Sequence, residues 1–131
     1  EGKEFSKEQL DYIHNSKTGA LIRASIQTAA LLSEAPVSSQ EALGRFGSRI
    51  GLAFQIVDDI LDVEASPEEL GKTPGKDRVE GKATYPAMFG VEASREIARG
   101  LVADSIREIA FLGPKAQILR EIARFISIRR F

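Results

Sequence analysis

Apolar residues recur every three or four positions along most of the chain and nowhere alternate over a sustained run. That period predicts helices and no sheet. Ser6 followed by Gln9 is a capping-box pattern, predicting a short helix from Lys7 to about His14 with a break near Asn15 and Ser16. A longer helix is expected from Lys17, with Leu21, Ile22, Ser25, Ile26, Ala29, Ala30 and Leu32 as its apolar set. It should stop near Glu34–Ala35, before Pro36. Ser38 with Glu41 repeats the capping box and predicts a central helix running to about Glu64. Gly44, Gly47 and Gly51 lie on that helix at spacings of three and four, each costing about 1 kcal/mol against alanine. Close approach of a second helix is the expected return, with a local kink as the alternative.

The pattern then changes. Ala65 to Ala83 reads as a long irregular segment, with one helical turn at Ser66-Pro67-Glu68-Glu69 and four residues that hold it open, Gly71, Pro74, Gly75 and Gly81. Thr84 should cap the next turn, with Pro86 just inside it, and Gly90 should interrupt. Glu92 to Leu112 reads as an amphipathic helix through Ile97, Leu101, Ile106 and Ile109. Gly113-Pro114 ends it, and a last helix is expected from Lys115 to about Arg129. The fold class is all-α.

The chemistry concentrates where the central helix meets the long segment, in FQIVDDILDVEASPEELGKTPGKDRVEGK from Phe54 to Lys82. Helical spacing puts Asp58, Asp59 and Asp62 on one face of one turn, with Gln55 a turn earlier. Phe54, Ile56, Val57, Ile60 and Leu61 flank them. Three neighbouring acids repel one another, so the face is either fully solvated or occupied by something positive. A few hard oxygen ligands suit Mg²⁺, which keeps several waters and shares its sphere with phosphate oxygens. Zinc fits poorly, because the chain has no cysteine and its single histidine, His14, is distant in sequence. Lys72, Lys76, Asp77 and Lys82 follow in the irregular segment, and the lysines are suited to phosphate as point charges. Acids for metal, lysines for phosphate and apolar residues between them describe a site for a diphosphate on an apolar tail.

Two other motifs fail on inspection. Gly71-Lys72-Thr73 resembles the end of a P-loop, but Ser66 stands where that loop needs its first glycine and no strand precedes it. Lys17-Thr18-Gly19 spells the K-T-G of β-lactamases without the partner motifs. Size and charge narrow the field further. The 131 residues suffice for one core, and a net charge of −1 carries no nucleic-acid footprint. No apolar run has membrane-spanning length, and no disulfide is possible.

FQIVDDILD, then GKTPGKD, then GKATYP, preceded by IHNSKTGALI, resemble the C-terminal half of a trans-type polyprenyl diphosphate synthase of the geranylgeranyl or farnesyl branch. The motifs keep the family's order and spacing over nearly the whole chain. The resemblance implies an isoprenoid synthase-type helical bundle, with residues 1–131 forming the C-terminal portion of a single domain. It implies Mg²⁺ held by Asp58, Asp59 and Asp62, bridging an allylic diphosphate that ionises and is attacked by isopentenyl diphosphate. It also implies diphosphate contacts from Lys17, Lys72 and Lys82, with Thr18 and Gln55 facing the allylic cation and Phe54 beside the isopentenyl group. Asp77 would orient a lysine or a metal-bound water. His14 reads as a packed or solvent-edge residue, and Arg129 and Arg130 as a frayed basic tail or a second approach to isopentenyl diphosphate.

The family's first aspartate-rich motif and its arginine pair have no counterpart here. The expectations are therefore a missing N-terminal half or a homo-oligomer, apolar helix faces left exposed, and no turnover by this chain alone. A class I terpene cyclase segment and a non-catalytic regulatory subunit or diphosphate-binding module are the rival readings. Asp62 and Ser66 fit the prenyltransferase form of the motif better than the cyclase form. A cytoplasmic or plastid setting would follow from such a source.

Overall fold

The computed structural model describes residues 6–16, 18–65 and 84–129, the side chains of His14 and Asn15 excepted. The elements among them are helical: α1 (Lys7–Ser16), α2 (Thr18–Leu32), α3 (Val37–Glu64), α4 (Tyr85–Phe89), α5 (Val91–Glu108), a 3₁₀ segment (Ala110–Ala116) and α6 (Gln117–Ile128). The all-α expectation holds. Lys17, Lys72, Lys76, Asp77, Lys82 and Arg130, together with the expected turn at Ser66–Glu69, lie outside the described residues.

α3 organises the fold. At 28 residues it is about 42 Å long, and α2 packs along one side of it and α5 along the other. Its middle supplies Phe46, Ile50 and Ala53 to one core, completed by Val102, Ile109, Ala116, Ala123 and Ile126. Its C-terminal half supplies Ile56, Val57 and Ile60 to a second, completed by Leu10, Tyr85 and Ala98. The acids Asp58, Asp59 and Asp62 therefore project from a helix end whose other side is buried.

The glycine expectation is borne out in detail. An added Cβ at Gly51 would stand 2.6 Å from the Gly19 Cα, and one at Gly47 would stand 3.0 Å from the Arg23 Cα. Both neighbours are backbone atoms of α2, so the two helices meet almost without side chains between them. Gly44 faces the Gln27 amide instead, at 2.9 Å.

The α1 capping box forms in both directions. Ser6 N–H donates to Gln9 Oε1 at 2.9 Å, and Gln9 N–H donates to Ser6 Oγ at 3.3 Å. Thr84 Oγ1 accepts from Ala87 N–H at 3.3 Å, as expected, and Gly90 separates α4 from α5 at φ +83°.

Four expectations need correction. Ser38 does not cap α3. The helix starts at Val37, and the Pro36 carbonyl accepts from Ser39 N–H at 2.9 Å and from Gln40 N–H at 3.0 Å. Proline presets the backbone there, and the Gln40 amide donates to the Ala35 carbonyl at 2.7 Å. α1 also continues to Ser16, past the expected break.

α5 ends at Glu108 rather than Leu112. Pro114 disfavours helical geometry at the residue before it, and Gly113 turns the chain at φ +58°. The residues leading into that kink wind more tightly, with Leu112 N–H bonding to the Ile109 carbonyl at 3.2 Å. The same 3₁₀ segment delays α6 to Gln117.

The apolar set of α2 is only partly interior. Ile22 and Ile26 pack against the first core, whereas Leu21 and Leu32 are exposed. Ile118, Ile122 and Phe125, spaced four and three apart on α6, are likewise exposed. The expectation that helices carry uncovered apolar faces is met.

Candidate active site

Tyr85 anchors the start of α4. Its side chain is fully buried, and its hydroxyl donates to the Asp11 carboxylate on α1. Burial first, and then that hydrogen bond and charge, push the phenol above its ordinary value, so the hydroxyl stays protonated. Asp11 is also held by Lys7 Nζ at 2.7 Å. Tyr85 is three residues after Lys82, so this bond ties the exit of the lysine-bearing stretch to α1.

We expect Tyr85→Phe to lower stability by about 1–2 kcal/mol, because a charge-assisted bond is lost while Asp11 keeps its lysine. Urea denaturation monitored by circular dichroism measures it, and an unchanged midpoint would sink the anchoring role.

Along α3, Gly51, Gln55 and Asp59 fall on one i, i+4, i+8 row. Gly51 touches Gly19, which places Thr18 and the start of α2 beside α3 one turn before Gln55. Gln55 is buried at 8% exposure. Asp58 and Asp59 are half-buried, and Asp62 is exposed. The structure thus brings Thr18, Gln55, Asp58 and Asp59 to one end of the α2–α3 contact.

Phe54 is half-buried and belongs to the edge of the first core. Over its ring lies the Arg129 guanidinium, with Cζ 4.8 Å from the centroid. The same guanidinium donates from Nη2 to Asp58 Oδ1 at 2.7 Å. Phe54 and Asp58 are one helical turn apart, so Arg129 spans a single turn of α3. It lies in a crevice between α3, α5 and α6 that Val57, Ile60, Leu61 and Ala98 also line. Arg129 was expected as a frayed tail or a substrate contact. Its pairing with a motif aspartate was missed, since nothing in a 71-residue separation announces it.

Three ion pairs fasten α5 to α3. Glu108 accepts from Arg45 and, at 2.6 Å, from Arg49. These bonds hold the Glu108 carboxyl below the usual carboxylate range, Arg45 first. Near the acids, Arg95 donates to Glu64 at the end of α3.

Among the described residues the acid face offers carboxylate oxygens, which suit a hard cation. Among the described residues no three acidic or histidine groups converge closely enough to hold a metal ion. Mg²⁺ fits such a set, because it takes one or two carboxylates and completes its octahedron with water and phosphate. No described helix is long and apolar enough to cross a membrane.

An all-α fold with an acid-bearing end to its central helix defines the class. Residues 1–111 match the polyprenyl synthetase family model, and the chain belongs to that family. It is 45% identical over 130 residues to geranylgeranyl diphosphate synthase of Cyanophora paradoxa, covering 98% of this chain and 43% of that one. Among solved structures, an FPP/GFPP synthase from Zymomonas mobilis superposes with a TM-score of 0.81 at 30% identity, over 96% of this chain and 40% of that one. A geranyltransferase from Helicobacter pylori, solved with magnesium and isoprenyl diphosphate, gives 0.71 at 30% identity, over 95% and 41%. The chain spans well under half the length of these relatives.

Proposed function

We propose that this chain contributes the second aspartate-rich half of a prenyl diphosphate synthase site, in which isopentenyl diphosphate is joined to an allylic diphosphate. The observation that carries the reading is the half-buried pair Asp58 and Asp59, two turns along α3 from its Gly51–Gly19 contact with the start of α2, on a chain of the polyprenyl synthetase family. The magnesium and isoprenyl diphosphate in the Helicobacter pylori geranyltransferase support the same ligand chemistry. On this reading residues 1–131 are the C-terminal part of one domain.

Asp58, Asp59 and Asp62 would hold Mg²⁺, which supplies charge for a departing diphosphate. Lys17, Lys72 and Lys82 would bind that diphosphate directly and keep its charge from returning to carbon. The side-chain oxygens of Thr18 and Gln55 would face the allylic cation, which they stabilise as dipoles without capturing it. Burial of Gln55 removes it from bulk water, where its dipole would be screened. Phe54 would present an apolar wall to the five-carbon acceptor. The new carbon–carbon bond forms as the acceptor double bond attacks the cation, and proton loss restores a double bond.

The test is calorimetric titration of the chain with inorganic pyrophosphate, with and without Mg²⁺. Binding should require the metal. Pyrophosphate binding that is indifferent to Mg²⁺ would overturn the reading. Prenyl transfer from short allylic diphosphates to labelled isopentenyl diphosphate then asks whether the chain turns over alone.

The exposed row Ile118, Ile122 and Phe125 supports self-association or docking on a complementary half. Sedimentation should show species larger than a monomer, shifted toward monomer by Ile122→Glu. A compact monomer at high micromolar concentration would count against it.

A further inference from the structure

We propose that Arg129 is a positioning residue that occupies Asp58 in the metal-free state and must release it when a divalent cation binds. The inference rests on the reading of Asp58 as a metal ligand and goes beyond it, because it assigns that ligand an internal competitor.

The geometry is specific. Arg129 Nη2 donates to Asp58 Oδ1 at 2.7 Å, and the guanidinium carbon lies over the Phe54 ring, 4.8 Å from its centroid. The arginine side chain is 19% exposed, while the aspartate retains 44% exposure. The arginine is thus the more sequestered partner, held by apolar and aromatic contacts as well as by charge. A cation approaching Asp58 meets one oxygen already committed and a fixed positive charge beside the other.

The backbone permits release. α6 ends at Ile128, and Arg129 follows it with φ −57° and ψ 127°, already off the helix. The pair makes the acid face less repulsive while it is empty and sets a threshold for metal entry. By linkage, whatever Arg129 subtracts from metal affinity, the metal subtracts from the Arg129–Asp58 contact.

The test uses Mn²⁺ alone as probe, titrated into the chain and followed by the loss of its free-ion resonance. Arg129→Gln should bind Mn²⁺ about fivefold more tightly than the natural chain, the size expected for release from one partly exposed ion pair. Arg129→Lys keeps the charge and should restore most of the natural value. In the Asp58→Asn background, Arg129→Gln should have no further effect. The reciprocal readout is nuclear magnetic resonance of the natural chain, where Mg²⁺ should move the Arg129 Nε–H and Phe54 ring signals.

Unchanged or weaker binding in Arg129→Gln, with circular dichroism intact, would overturn the proposal. So would tightening that persists without Asp58. If Asp58→Asn and Asp59→Asn both leave Mn²⁺ binding untouched, the metal reading itself fails, and that outcome is distinct from the first.

Discussion

Asp59→Ala is expected to lower prenyl transfer by about a thousandfold, in any form of the protein that turns over. The estimate follows from charge. Ionising an allylic diphosphate places two new charges in a half-buried site, and a bound divalent ion contributes several kcal/mol to that step. Each 1.36 kcal/mol is tenfold in rate, so losing about 4 kcal/mol gives about three orders of magnitude. Removing Asp58 would in addition strand a largely buried guanidinium, because Asp58 binds Arg129. Asp62 is exposed and should matter less, by about tenfold, since an exposed ligand is readily replaced by water.

Two measurements separate chemistry from folding. Initial rates with varied Mg²⁺ should show a higher metal requirement in Asp59→Ala, and its helical circular dichroism should match the natural chain. A loss of less than tenfold in rate, with the metal dependence unchanged, would remove Asp59 from the machinery.

The sequence made the helices legible wherever one periodic face met one core. The end of α3 at Glu64, both arms of the Ser6–Gln9 box and the Thr84 cap all follow from local chemistry, and all are present. Local signals misled where two of them competed. At α3 the serine cap lost to Pro36, and beyond Glu108 the amphipathic pattern continued through residues that Gly113-Pro114 forces into a tighter winding.

That Asp58, Asp59 and Asp62 share the end of one helix was readable from spacing alone. The contacts Tyr85–Asp11, Arg45–Glu108 and Arg129–Asp58 were not, because each joins residues 63 or more positions apart. No spacing rule reaches that far. Only the packing of α1, α4, α5 and α6 around α3 brings those partners together.

That packing makes a second substitution consequential. Gly51→Ala is expected to destabilise the chain by about 2 kcal/mol. Alanine gains about 1 kcal/mol over glycine as a helix former, so the steric cost must exceed that gain, and it should. The new methyl would stand 2.6 Å from the Gly19 Cα and 3.1 Å from the Gly19 carbonyl oxygen, both backbone atoms that no side-chain rotation can move. α2 and α3 must separate, which opens gaps between Ile22, Ile26 and the first core.

Gly100→Ala is the internal control. It lies exposed on α5 with nothing within 4 Å of the added Cβ, and it should stabilise by up to about 1 kcal/mol. The two substitutions make the same chemical change in the same secondary structure, yet they should move the urea midpoint in opposite directions. If both stabilise, the α2–α3 approach at Gly51 is looser than 2.6 Å implies. The placement of Thr18 beside the turn that carries Gln55 would then loosen with it. If they diverge as expected, the same contact that costs stability in Gly51→Ala is the one that holds Thr18 at the acid-bearing end of α3.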